Sequence, residues 1–152
     1  MPATDQRLPI VSSALTEGVV VVRPWQDGDA AALYEAARES IETVGPWLSW
    51  LDGLYAPADA LRWVEDSQAR WNRGSEFRFA VFEPGLAGRF VGSAGLNHLN
   101  DVHRIANLGY WVRASATGRG IASRAARLVA QFGLGAAGLG RIELLTAVDN
   151  IA

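Results

Sequence analysis

An apolar run from Ile105 to Val112 leads through a turn holding Gly118 and Gly120 into Ile121, Ala125, Leu128, Val129 and Phe132, which are spaced as one face of a helix. No other feature of the sequence restricts the fold as tightly. A strand that feeds a helix in this way leaves the first N–H groups of the helix without intrahelical partners. The helix dipole adds about half a positive charge at the same end. A phosphate or pyrophosphate is the natural guest there. Gly118 and Gly120 lack a Cβ, so the backbone can turn sharply and a ligand can approach it closely. Ala122 and Ser123 keep the next positions small. The first expectation is therefore a phosphorylated ligand held on the backbone of residues 118–123; glycines serving packing alone are the plain alternative.

The helix must return the chain to the sheet. Arg141 to Val148 carries Ile142, Leu144, Thr146 and Val148 on one side and predicts a strand. The helical crossover makes that strand parallel to 105–112. A second glycine cluster, Gly133-Leu134-Gly135-Ala136-Ala137-Gly138, spells G-x-G-x-x-G. It follows a helix and precedes a strand, the reverse of the phosphate-binding order, and reads as a helix terminus plus loop.

Upstream, residues 1–17 are polar with two prolines and predict a loose start. Gly18 to Pro24, with four consecutive valines, predicts a buried strand. Asp27-Gly28-Asp29 offers an N-cap for a helix through Ala30, Leu33, Ala37 and Ile41, broken at Gly45-Pro46. Pro57 suits the first position of a second helix, which turns Leu61, Val64 and Trp71 to the core and ends near Gly74. Phe77 to Glu83, Phe90 to Asn97 and Ile105 to Val112 then read as an antiparallel meander, with Pro84 to Gly88 as the first turn. The fold class is α+β: a mixed, mostly antiparallel sheet flanked by helices.

With 152 residues the chain suffices for one domain with one core. A net charge of −2 argues against a general nucleic-acid binder, so no direct nucleic-acid partner is expected. No apolar run is long enough to span a bilayer, and the N-terminus lacks the layout of a signal peptide, so a cytoplasmic protein is expected. Zero cysteines exclude disulfides, thiolate metal sites and a cysteine nucleophile. With His98 and His103 the only histidines, no metal site is expected. A homodimer stands among the expected assemblies.

The element order, with Gly109-Tyr110-Trp111-Val112, Gly118-Arg119-Gly120-Ile121-Ala122 and Asp149-Asn150, resembles the GNAT N-acetyltransferases. The similarity is closest to the RimJ/RimL type, which acetylates N-terminal amines of ribosomal and other proteins, and Trp47-Leu48-Ser49-Trp50-Leu51 also fits that group. It runs from about Gly18 to the end. The resemblance implies acetyl-CoA as co-substrate, bound where central parallel strands 105–112 and 141–148 splay apart. Backbone groups near Trp111, Val112 and Arg113 would pair with the pantetheine arm. N–H groups of Gly118, Arg119, Gly120, Ala122 and Ser123 would hold the pyrophosphate. Asn150 matches an asparagine beside the cofactor. Arg124 and Arg127 are either partners of the 3′-phosphate or a solvated helix face. Trp47 and Trp50 either line the acceptor cleft or pack as core aromatics. The family loop usually begins with Gln or Arg where this chain has Thr117. The subgroup often has glutamate at the position of Asn107. Family members continue beyond the position of Ala152 through a helix and two strands, so a single GNAT domain without that segment is expected.

Acetyl transfer from a thioester needs a neutral amine, an oxyanion donor and a proton for the departing sulfur. The backbone N–H of Trp111 is the expected oxyanion donor. An α-amine and a lysine differ by roughly 2.5 pKa units, about 3.4 kcal/mol, so a site with an amide at Asn107 suits an α-amine or another weakly basic amine. His98 is a candidate base, or a loop-edge histidine in solvent. Glu143 is another, or a structural ion-pair partner. Two other classes fit parts of the sequence: a non-catalytic acyl-CoA-binding module, and a dinucleotide oxidoreductase built on Gly118-x-Gly120. The latter would need this unit near the start of a parallel sheet, whereas a meander precedes it.

Overall fold

Among the described residues, six strands form one sheet whose spatial order follows the sequence. They are β1 (Leu15–Glu17), β2 (Val20–Pro24), β3 (Phe77–Glu83), β4 (Arg89–Asn100), β5 (Ile105–Val112) and β6 (Arg141–Glu143). Neighbours pair antiparallel except β5 and β6, which are parallel. The helices are α1 (Ala30–Glu39), α2 (Ile41–Val44), α3 (Pro57–Arg73) and α4 (Ile121–Leu134). This computed structural model describes residues 14–85 and 88–150. Expectations for residues 1–13, and for Leu86 and Ala87 in the β3–β4 turn, lie outside the described residues.

Alternation along each strand sorts its side chains between two layers. One face meets α4, where Phe79, Leu96, Val129 and Ile121 are fully enclosed. All five residues expected on the inner face of α4 are buried. Phe132 sits edge-on to Phe77 and Phe79, and Trp71 at the end of α3 reaches into the same cluster. The opposite face carries Trp25, Phe90 and Trp111 against α1 and the first turns of α3. Gly133 allows α4 to lie close to the sheet: a Cβ there would stand 2.7 Å from Ile142 Cδ1 and 2.9 Å from Leu96 Cδ1. The second glycine cluster is thus a packing contact followed by a helix end at Gly135, as its position predicts.

Several expectations are corrected. Leu15–Glu17 are not a loose lead-in but a strand paired with β2. The register Glu17↔Val20 makes Gly18-Val19 a two-residue hairpin loop, so Val19 is 55% exposed while Val20 and Val22 are fully buried. The first helix stops at Glu39, because Ser40 leaves helical geometry (φ −106°, ψ 5°), and a separate short turn, α2, follows. Asp29 holds the N-cap position without capping: its carboxylate accepts both nitrogens of Arg23, at 2.8 and 2.9 Å. Leu61 is 51% exposed because α3 buries the stripe Ala60, Val64, Ser67 and Trp71, one position away. β6 ends at Glu143 rather than Val148. Leu144, Leu145 and Val148 stay exposed, and an alternating pattern without a surface to cover it does not make a strand.

Candidate active site

The parallel ladder pairs Ile105, Ala106 and Asn107 with Arg141, Ile142 and Glu143 and goes no further, while β5 runs on from Leu108 to Val112. That stretch has a neighbour on one side only among the described residues, β4. Which main-chain groups face the open side follows from the ladder. Arg113 donates its N–H to Val91 O at 2.8 Å, and Val112 stands opposite Gly92 and Trp111 opposite Ser93. Backbone groups of successive residues point to opposite edges, so Trp111 faces β4, and its carbonyl oxygen sits where a Cβ on Gly92 would fall. Tyr110 and Val112 face the open edge. The Trp111 N–H, expected as oxyanion donor, is thereby turned toward β4. Both backbone groups of Arg113 are engaged, its carbonyl accepting the Ala116 N–H at 2.9 Å. Val112 lies on the open edge.

Beyond β5 a single 3-10 turn, Ala114–Ala116, leads into the glycine loop. Gly118 has φ +75° and Gly120 φ +72°, backbone settings that favour glycine. Gly120 is the N-cap of α4 and supplies no side-chain cap. Arg124 makes the first return bond, to Gly120 O at 3.2 Å, so the N–H groups of Ile121, Ala122 and Ser123 precede the ladder. The space where a Cβ on Gly118 would project is open within 4 Å. Nearby arginine side chains are engaged elsewhere: Arg119 with Glu83 at 2.7 Å, Arg127 with Glu17, and Arg124 with the Arg119 carbonyl at 3.0 Å.

The loop is hitched to the end of α1 by contacts that sequence reasoning missed. Arg113, 5% exposed, donates to Glu39, to Glu35 at 3.2 Å and to Phe90 O at 3.1 Å. Glu39 also accepts the Ser115 N–H at 2.7 Å, and Ser40 Oγ accepts the Ala114 N–H at 3.0 Å. Hydrogen bonds from Arg113 and then Ser115 hold the Glu39 carboxyl well below its ordinary range, at about 2. Only the polar character of these residues was visible beforehand, since 74 positions separate Glu39 from Arg113.

On the face away from α4 lies a cleft of about 610 Å³ walled by Leu33, Trp50, Tyr55, Trp63 and Trp111, with Asp59, Arg62, Glu65 and Asp66 at its rim. A narrower slot of about 150 Å³ adjoins it, sharing Trp50, Trp63 and Trp111 and reaching Asn97, Gly109 and Tyr110. Trp50 and Trp63 stack at 6.1 Å, and Trp50 meets Trp111 edge-on at 6.0 Å. Burial, with the charge of Asp59, pushes the Tyr55 phenol up to about 12, so its hydroxyl stays protonated at neutral pH. Asn107 donates to Asn97 Oδ1 at 2.9 Å, and its own Oδ1 is buried with no partner among the described residues.

The remaining expected residues are scattered. Trp50 lines both cavities; Trp47, 43% exposed, lines neither. His98 lies on a bulge of β4 with φ 50°, exposed and outside the lining of both cavities. Glu143 is paired with Arg141 at 2.7 Å on an exposed edge. Asn150 closes a turn by donating its N–H to Ala147 O, and no hydrogen bond among the described residues joins it to the glycine loop. Those residues also hold no cluster of metal-ligating side chains, and no helix among them is long and apolar enough to cross a membrane.

A mixed sheet with one parallel pair, an open strand edge beyond it and a glycine-capped helix alongside define an acyl-CoA-dependent transferase fold. The chain belongs to the GNAT acetyltransferase family: residues 20–152 match the family described as "Acetyltransferase (GNAT) domain". Its chemistry is accordingly transfer of acetyl from acetyl-CoA to an amine. YdaF of Bacillus subtilis (strain 168), assigned as a ribosomal N-acetyltransferase, is 27% identical over 133 residues, spanning 86% of this chain and 70% of that one. Mycobacterium smegmatis RimJ, solved with CoA-disulfide, is 28% identical with a TM-score of 0.77, over 88% of this chain and 65% of that one. A Vibrio cholerae protein assigned as a ribosomal-protein-serine acetyltransferase shares the fold, with a TM-score of 0.79 at 21% identity, over 91% of this chain and 76% of that one.

Proposed function

We propose that acetyl-CoA lies along the open edge of β5 with its pyrophosphate on the amides of residues 118–123, and that the acceptor is a primary α-amine, on a protein N-terminus or a small molecule, entering from the aromatic cleft. The observation that carries this is the end of the β5–β6 ladder at Asn107 while β5 continues to Val112. The exposed N–H and C=O groups of Tyr110 and Val112 offer the pantetheine amides a strand's pairing. A Tyr110 or Val112 N–H takes over the oxyanion role first expected of Trp111. The amine nitrogen attacks the thioester carbonyl carbon, forming the C–N bond. The C–S bond then breaks, the sulfur leaves with its electron pair, and the nitrogen's proton passes through water to the thiolate. Positioning supplies much of the rate. The ribosomal assignments of YdaF and the Vibrio cholerae protein support a protein acceptor and a cytoplasmic setting.

Two measurements test this. Saturating CoA at about 100 times its Kd raises stability by about 2.7 kcal/mol, read as a higher Tm. Gly118→Val removes most of that protection, since it places a side chain at φ +75° in the space left for the ligand. A wild-type protein that CoA does not protect, or a Gly118→Val protein protected equally well, overturns the reading. An amide at Asn107, its Oδ1 buried without a partner among the described residues, favours one rival, an acyl-CoA-binding module without turnover. Thiol release from acetyl-CoA with an α-amine acceptor rules that rival out.

A further inference from the structure

We infer that the acceptor carries an aromatic group close to its amine; this rests on the acetyltransferase reading above and adds the substrate class. The cleft offers about 610 Å³, within the range of sites that enclose small organic ligands. Its floor is Leu33, Tyr55 and Trp111, each less than a tenth exposed, and Trp50 and Trp63 form the side wall. The charges stay at the rim, and two of the three carboxylates are neutralised there: Asp59 by Arg62, and Asp66 by Arg70 at 2.7 Å and Arg78 at 2.9 Å. An N-terminal serine or alanine would leave this apolar volume unfilled. A flat ring fills it and gains edge and face contacts with the surrounding indoles.

The reaction end lies in the adjoining slot. At about 150 Å³ it is too small for a second ring beside a thioester, but it admits an amine on a short tether. Gly109 leaves open space there, with nothing within 4 Å of where its Cβ would stand. Because Trp50, Trp63 and Trp111 border both cavities, a ring lodged among them adjoins the slot that Tyr110 lines. A free arylalkylamine and a peptide beginning with Phe, Tyr or Trp share this chemistry.

Isothermal calorimetry without acetyl-CoA tests the cleft directly. The probes are 2-phenylethylamine against ethylamine, and the amidated tripeptide Phe-Ala-Ala against Ala-Ala-Ala. The aromatic member of a pair binds about tenfold tighter or more. Preference in the amine pair alone assigns a small-molecule acceptor, and preference in both extends the assignment to peptides. Trp50→Ala reduces the advantage to less than about threefold, whereas Trp47→Ala, outside the cleft, leaves it intact. Equal binding within both pairs, or an advantage that survives Trp50→Ala, overturns the inference. Acetyl transfer is followed with the same probes. Transfer without aromatic preference sinks the substrate class and leaves the acetyltransferase standing. Aromatic binding without transfer to any amine overturns the acetyltransferase reading itself, and the aromatic ligand is then no acceptor.

Discussion

On the α4 side of the sheet, Phe79, Leu96 and Val129 are sealed away from water; on the other side, Trp50, Trp63 and Trp111 stand around an open cleft. Both layers are apolar and hang on the same strands. The sealed layer is mostly branched aliphatics and phenyl rings, with Trp71 as its one indole among the described residues. The open layer uses indoles, whose N–H groups are awkward to bury, and those of Trp25 and Trp63 have no partner among the described residues. The contrast teaches a division of labour. One face packs α4, and with it the glycine loop, against the sheet; the other gives up packing and leaves a cleft, the place proposed for an acceptor.

The sharpest way to break this contrast is to truncate one residue on each side. Phe79→Ala, in the sealed layer, costs about 3–5 kcal/mol. Trp50→Ala, 37% exposed, costs well under half of that. Comparable losses in urea unfolding would mean that the two faces are not built differently. A smaller effect is expected from Gly133→Val, which drives a side chain into Ile142 and Leu96. Overpacking costs about 1–3 kcal/mol and should loosen β6, seen as faster amide exchange at Ala106 and Ile142. The smallest effect concerns the link between loop and α1. The pKa of Glu39 falls from 4.5 to about 2 on folding, so its contribution is complete above pH 4.5 and fades as pH drops toward 2. After solvent screening this amounts to about 1 kcal/mol. Glu39→Gln should flatten the acid limb of the Tm–pH curve; an unchanged limb removes the link.

The unit from Ile105 to Phe132 was legible because it is local: a strand, two glycines and a helix face are each written in short-range spacing. The β5–β6 pairing followed from the same logic. What escaped depends on contacts between distant segments. Spacing does not tell that Trp111 turns its backbone to β4, because that parity is set by the register with Ser93. The aromatic run 47–51 hinted at a cleft, but Trp50 enters it and Trp47 does not, and Trp63 and Tyr55 arrive from α3 and the loop before it. Glu39 and Arg113 look like ordinary surface charges until the fold sets them together.

The helix whose last residue, Glu39, holds the turn ahead of the glycine loop, with Ser40 just beyond its end, also contributes Leu33 to the floor of the cleft. On the proposed reading, one rod borders the places of both ligands. A tilt of α1 on acceptor binding would then move the turn ahead of the diphosphate amides, and thermodynamic reciprocity would make that influence mutual.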